Sequence, residues 1–177
     1  PDMKFRPFVP GISKGLTKGA NIFDSIRKND VLLHHPYQSF APVIELLSQA
    51  ATDPAVVAIK MTVYRTGTDS VLMESLIRAA QNGKEVTGGG ELMARFDEEA
   101  NISWATKLEE VGAHVVFGVV GYKTHAKALL IVRREEGGLK RYAHLGTGNY
   151  HPRTARMYTD FGLMTANEEI THDVSEV

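Results

Sequence analysis

Tyr122-Lys123-Thr124-His125-Ala126-Lys127 runs directly into Ala128-Leu129-Leu130-Ile131. Read as a strand, its period of two puts His125 and Lys127 on one face and Ala126 and Ala128 on the other. A neutral imidazole can attack phosphorus near pH 7, and an ammonium two residues on can hold the anion. A histidine beside a lysine is also common in ordinary strand packing, so the pair alone leaves both readings open. Gly146-Thr147-Gly148-Asn149 adds to it. Glycines let backbone N–H groups approach an anion closely, and Thr147 and Asn149 bring side-chain donors. Together these residues suit histidine-based phosphoryl transfer, with His125 as nucleophile and Lys127 as its partner.

Other polar residues are weaker candidates. Arg65 and Arg95 each follow a strand-like run, where α/β sheets place ligands, but taken alone each is better read as a solvated or ion-paired arginine. His34 and His35 are adjacent, so on a strand they point to opposite faces, which favours a loop-end role over a metal pair. His144 and His151 flank the glycine turn and suit either phosphate orientation or a structural place. His114 and His172 carry no signal. Lys123, Lys127, Arg153 and Arg156 could form a basic rim for a polyanion, or simply be solvated charges. Tyr64, Trp104 and Phe117 read as core or interface. There is no Walker A pattern, which excludes a P-loop phosphate site.

Composition narrows the class. The net charge of -1 over 177 residues argues against a general nucleic-acid binder. The absence of cysteine excludes disulfides, thiolate nucleophiles and Cys-based zinc sites, and fits a cytoplasmic protein. No apolar stretch reaches the roughly 18 residues of a membrane span, and no signal-peptide pattern is visible. The chain starts at Pro1 and stops at Val177 after an acidic segment, which reads as a domain cut from a longer protein.

The elements that must position these residues alternate. Residues 1–20 hold three prolines and three glycines without periodicity, and 1–28 is read as a linker or arm from a preceding domain, with the folded domain over 29–177. Val31-Leu32-Leu33 suggests a buried strand. Ser39 can cap a helix with apolar positions at Phe40, Val43, Ile44 and Leu47. A strand over 56–64, a helix over 69–81, a strand over 85–93, a helix over 97–111 and a strand over 114–120 follow. Two strands over 125–134 and 139–145, joined by Glu135-Glu136-Gly137-Gly138, read as a hairpin. A further strand over 157–164 and a helical acidic tail from Asn167 complete an α/β fold with a mixed β-sheet and helices on both faces.

The His-x-Lys run with its glycine turn resembles one half-site of the phospholipase D-like superfamily. LLHHPYQSF, TVYRTGTDS, ELMARFDEEANI, VVGYKTHAK and HLGTGNYHPRTARMYTDFGL together closely resemble the polyphosphate kinases, over essentially the whole chain and in the order of their first C-terminal phospholipase D-like domain. The resemblance implies reversible transfer of the ATP γ-phosphate to inorganic polyphosphate through a phosphohistidine, which falls on His125. It puts Tyr158 on the nucleotide, with Asp160 in the same motif, while the chemistry of the turn itself puts Thr147 and Asn149 on the phosphates. It assigns Arg65 and Arg95 to the magnesium site. A guanidinium has no lone pair to offer, so these two are better read as binding the phosphates that carry Mg2+. The implied partners are ATP or ADP, polyphosphate, and a second phospholipase D-like domain of the same polypeptide, in a homo-oligomeric parent enzyme. A cytoplasmic place is implied, with peripheral membrane attachment of the parent left open.

Three departures stand out. Gly88-Gly89-Gly90 replaces an aliphatic strand, Met93 stands where relatives have lysine, and Val132 takes the place of the superfamily's Asp after His-x-Lys, a departure the polyphosphate kinases share. With only one such motif, the fragment alone is expected to be nearly inactive. The alternatives are a single-motif phosphodiesterase completed by homodimerisation and a polyphosphate-binding module without turnover.

Overall fold

The computed structural model describes Met3 and residues 6–16, 19–63, 70–90, 98–118 and 125–177. Among these residues, five helices and seven strands follow in chain order: α1 (Ile22–Lys28), β1 (Val31–His35), α2 (Ala41–Thr52), β2 (Val56–Val63), α3 (Val71–Gln81), β3 (Glu85–Gly90), α4 (Glu98–Glu110), β4 (His114–Phe117), β5 (Lys127–Glu135), β6 (Gly138–Gly146), β7 (Asp160–Thr165) and α5 (Glu168–Glu176), with a 3-10 turn at Thr154–Arg156. The strands form one mixed sheet in the order β1-β7-β6-β5-β2-β3-β4. β2, β3 and β4 are parallel, each pair joined by a helix, while β5, β6, β7 and β1 pair antiparallel.

The helices form where apolar spacing and caps agree. In α2, Val43, Leu46, Leu47, Ala50 and Ala51 are buried, the i, i+3, i+4 rhythm of a single face. Ser70 caps α3 by accepting from the Met73 N–H, and Asn167 caps α5 by accepting from Ile170. Glycines with positive φ, Gly83 and Gly112, close α3 and α4.

Alternation along β5 sorts the sheet into two faces. Leu129 and Ile131 join Leu33, Ile59, Met61, Tyr142 and Met164 in the main core beneath the α1–α4 side. Ala128 and Leu130 face the other way, where Ala143 and Leu145 pack with Ile170 and Val174 of α5. The expected helices on both faces are therefore present. The arm differs from expectation at its end. Residues 22–28 form α1, whose Ile22, Phe23 and Ile26 are buried in the main core, so this stretch belongs to the domain. Farther back, Gly11 pairs with the loop after β1, donating to Tyr37 O and accepting from Ser39.

The three glycines do not break β3. Gly88, Gly89 and Gly90 keep register with Met61–Val63 on one side and Val115–Phe117 on the other. Two-sided pairing supplies what their missing side chains do not. The remainder of that expected strand, with Met93, lies outside the described residues. Trp104 is buried as expected, Phe117 is half exposed on the edge strand, and Tyr64 falls outside the described residues.

At the sheet end remote from His125, a polar network ties strand ends together. Arg133 pairs with Asp53 at 2.8 Å and Glu135 at 3.0 Å, and Tyr142 donates to Glu135 at 2.5 Å. Lys84 donates to the carbonyls of Asp53 and Val56. Each buried charge there has a partner, as low-dielectric surroundings require.

Candidate functional site

Four strand ends meet at the opposite edge. The register sets Lys127 beside Gly146, Gly146 beside Gly162, and His35 beside Asp160. The antiparallel pairing of β2 with β5 brings the end of β2 to the start of β5, where the Ala128 N–H donates to Thr62 Oγ1 at 2.9 Å. β2 and β3 thus end at the edge where β5 begins. Arg65 and Arg95, which follow them in sequence, lie outside the described residues, as does Lys123.

β5 begins at Lys127, so His125 sits two residues ahead of the strand rather than within it, and is exposed. Lys127 is 6% exposed, and its Nζ donates to the His125 carbonyl at 2.6 Å. Burial pushes the Lys127 pKa down, against the pull of the Asp160 carboxylate. A lysine so enclosed is no part of a solvated rim. Arg153 and Arg156 are exposed on the 3-10 segment, as is Tyr158 at 61%.

The 146–149 turn is braced from β7. Thr147 Oγ1 donates to Asp160 Oδ1 at 2.9 Å and accepts from the Phe161 N–H at 2.9 Å, while the Thr147 N–H donates to Phe161 O at 3.0 Å. Both donors of Thr147 are thus engaged inside the protein. Gly148 lies so close to the Asp160 carboxylate that a Cβ there would collide with it. Asn149 turns inward, and its Oδ1 is buried with no hydrogen-bond partner among the described residues.

Beneath the turn lies a pair of histidines whose meeting the sequence does not announce. His144 is fully enclosed at the end of β6, and its ring lies over glycines on two neighbouring positions. A Cβ at Gly162 would come 2.6 Å from its Nε2, and one at Gly146 would come 3.3 Å from its Cε1. Its Nδ1 is 2.8 Å from the Tyr150 hydroxyl, which also lies 3.2 Å from the His144 carbonyl. Burial holds the His144 pKa down at about 3, the neighbouring His35 adding to the effect, and burial holds Tyr150 well above its usual value. His35, at the end of β1, is 4% exposed with Nδ1 2.9 Å from Gln38 O. As its strand position predicts, His34 faces the other side, stacking on Phe161 with ring centroids 4.6 Å apart. The two buried histidines come from residues 109 positions apart, so only the β1–β7–β6 pairing brings them together.

His151 is a local brace, its Nδ1 accepting from the Arg153 N–H at 3.1 Å. Among the described residues, no group of three or more His, Asp or Glu is arranged to hold a metal ion. No helix among them is long and apolar enough to cross a membrane. The arrangement offers an exposed imidazole, a charge enclosed beside its carbonyl, and a rigid glycine turn next to a carboxylate. Such a setting can take up and position a phosphoryl group.

Comparison with known proteins points the same way. Residues 21–177 match the family model described as polyphosphate kinase C-terminal domain 1. A polyphosphate kinase of Burkholderia vietnamiensis is 66% identical over 181 aligned residues, covering 100% of this chain and 26% of that protein. One from Neisseria meningitidis serogroup B is 63% identical, covering 99% and 26%. The chain therefore spans about a quarter of the length of the curated relatives it matches. Among solved structures, the polyphosphate kinase of Porphyromonas gingivalis superposes with a TM-score of 0.85 at 39% identity, over 99% of this chain and 29% of that one. The phospholipase D family member Nuc of Salmonella typhimurium shares the fold, with a TM-score of 0.61 at 17% identity over 84% and 90%.

Proposed function

Because the chain belongs to the polyphosphate kinase family, we propose that it supplies one half of a site that transfers the γ-phosphate of Mg-ATP to inorganic polyphosphate through a phosphohistidine on His125. The observation that carries this reading is the exposed His125 with the Lys127 ammonium fixed on its carbonyl, beside the Asp160-braced turn.

In the first step an imidazole nitrogen lone pair of His125 attacks the γ-phosphorus. The bond from that phosphorus to the β–γ bridging oxygen breaks, and ADP leaves with the electron pair. In the second step a terminal polyphosphate oxygen attacks the phosphoryl group, and the N–P bond breaks to regenerate His125. Both steps reverse. Lys127, Arg65 and Arg95 offset the charge on the phosphates, and Tyr158 seats the nucleotide. Arg65 and Arg95 would hold the phosphate oxygens that carry a magnesium ion, which would offset their charge; a guanidinium suits those oxygens and not the cation itself. Thr147, with its donors engaged by Asp160 and Phe161, serves as a brace of the turn. The second half-site comes from a second phospholipase D-like domain of the same polypeptide, in a homo-oligomeric enzyme of the cytoplasm.

The test uses a full-length enzyme in which this chain replaces the matching segment of the Burkholderia vietnamiensis relative. His125→Ala should abolish incorporation of label from γ-32P-ATP into polyphosphate and into protein. Acid-labile, base-stable protein label that persists in that variant would overturn the assignment.

A further inference from the structure

Three buried polar atoms close to the turn have no hydrogen-bond partner among the described residues: His35 Nε2, His144 Nε2 and Asn149 Oδ1. Leaving one such atom unsatisfied is costly, and native proteins rarely do so. All three residues line one small cavity with Phe40, Asp160 and the glycines of the turn, and its volume is about 10 Å3. That is close to the least space that admits a single water centre, and the site is polar enough to hold one.

We propose that His35, His144 and Asn149 hold one buried water molecule, which makes His35 a positioning residue for the 146–149 turn. The proton inventory selects this solution. The Gln38 carbonyl can only accept, so His35 carries a proton on Nδ1, and in the one-proton form of the ring Nε2 is bare. Asn149 Oδ1 is likewise an acceptor. A water donates two hydrogens, one to each. Its oxygen then needs a donor, which His144 supplies if its proton is on Nε2. That tautomer requires the Tyr150 hydroxyl to donate to His144 Nδ1, the shorter of its two contacts at 2.8 Å. The opposite tautomer would aim three acceptors at a molecule with two hydrogens and leave one unpaired. One water and this tautomer pair all three cavity atoms, with the Tyr150 hydroxyl hydrogen on His144 Nδ1 and not on the His144 carbonyl 3.2 Å away.

The water then links His35 at the end of β1 to His144 at the end of β6 and to Asn149 on the turn. Gly146 and Gly162 are what make room for the His144 ring to reach it. The positioning role rests on the phosphotransfer reading above, whereas the water and the tautomers do not.

The first experiment is long-range 15N–1H correlation on the histidine-labelled 177-residue chain, with cross-relaxation from ring protons to water. Expected are protons on His35 Nδ1 and His144 Nε2, and contact of both rings with a long-lived water. A proton on His144 Nδ1, the lack of such contact, or a stoichiometric metal ion in the purified chain overturns the proposal. The second uses the full-length chimaera. His35→Phe keeps a ring but removes the nitrogens, and should slow protein labelling by roughly tenfold, the cost of one unsatisfied buried group. His35→Gln, whose amide reaches the Nε2 position, should recover most of that loss. A Phe variant as fast as the parent, or Phe and Gln variants equally slow, overturns the positioning role. If the parent chimaera itself takes no label, the phosphotransfer reading fails while the spectroscopic result stands or falls alone.

Discussion

Acidification should unfold this domain through His144 before its carboxylates take part. The folded protein holds the His144 pKa at about 3, whereas an unfolded histidine titrates near 6.5. Protons therefore bind the unfolded chain first. The stability His144 contributes as a neutral group is fully present above pH 6.5 and is lost as pH falls towards 3. Each pH unit in that window costs about 1.4 kcal/mol, so lowering the pH from 6.5 to 5 removes roughly 2 kcal/mol. Asp53 and Glu135 also lose stabilising charge in acid: burial raises both pKa values, but hydrogen bonds from Arg133 to Asp53, and from Tyr142 and then Arg133 to Glu135, outweigh it and hold both below their usual values. Those losses begin below about pH 4.5 and stay outside the window. Urea unfolding of the 177-residue chain at pH 6.5, 6.0, 5.5 and 5.0 reads the effect. With a slope of about 2 kcal/mol per molar urea, the midpoint should fall by roughly 1 M. His144→Gln should be less stable at neutral pH and should lose the pH slope across the same window. An equal slope in parent and variant would refute the reasoning, since the acid sensitivity would then lie elsewhere.

Other outcomes follow from the glycines. Gly148→Ala drives a Cβ into the Asp160 carboxylate and breaks the Thr147 brace, at a cost of about 1–3 kcal/mol in urea unfolding; an unchanged midpoint would show that the turn is not held there. Gly88→Ala should act in the opposite sense. Its Cβ would meet Leu108 Cδ1 at 3.6 Å, an ordinary contact, and should raise stability by roughly 0.5–1 kcal/mol; a loss would mean that β3 needs glycine at that position.

Local pattern carried much of this fold into the sequence. The apolar rhythm of α2, the helical tail after Asn167 and the Glu136-Gly137 hairpin sit where spacing puts them. The start of β5 was not legible to the residue, because strand pairing ends at Lys127 and periodicity continues past it to His125. α1 escaped notice because seven residues give too short a periodic signal, and its place depends on what packs beneath it. At the site, Lys127 was legible as His125's partner, but its burial was not. The His35–His144 approach was least legible of all, since no local spacing encodes a contact made by the pairing of distant strands.

The central claim is that His125 receives the phosphoryl group. The most direct measurement is mass-spectrometric mapping of phosphohistidine in the full-length chimaera after brief incubation with Mg-ATP, under alkaline handling that preserves the N–P bond. The phosphoryl group should map to His125 and disappear on addition of ADP, which draws it back to ATP. A phosphoryl group on His144 or His151, or none on any histidine of this chain while polyphosphate is being made, would contradict the account.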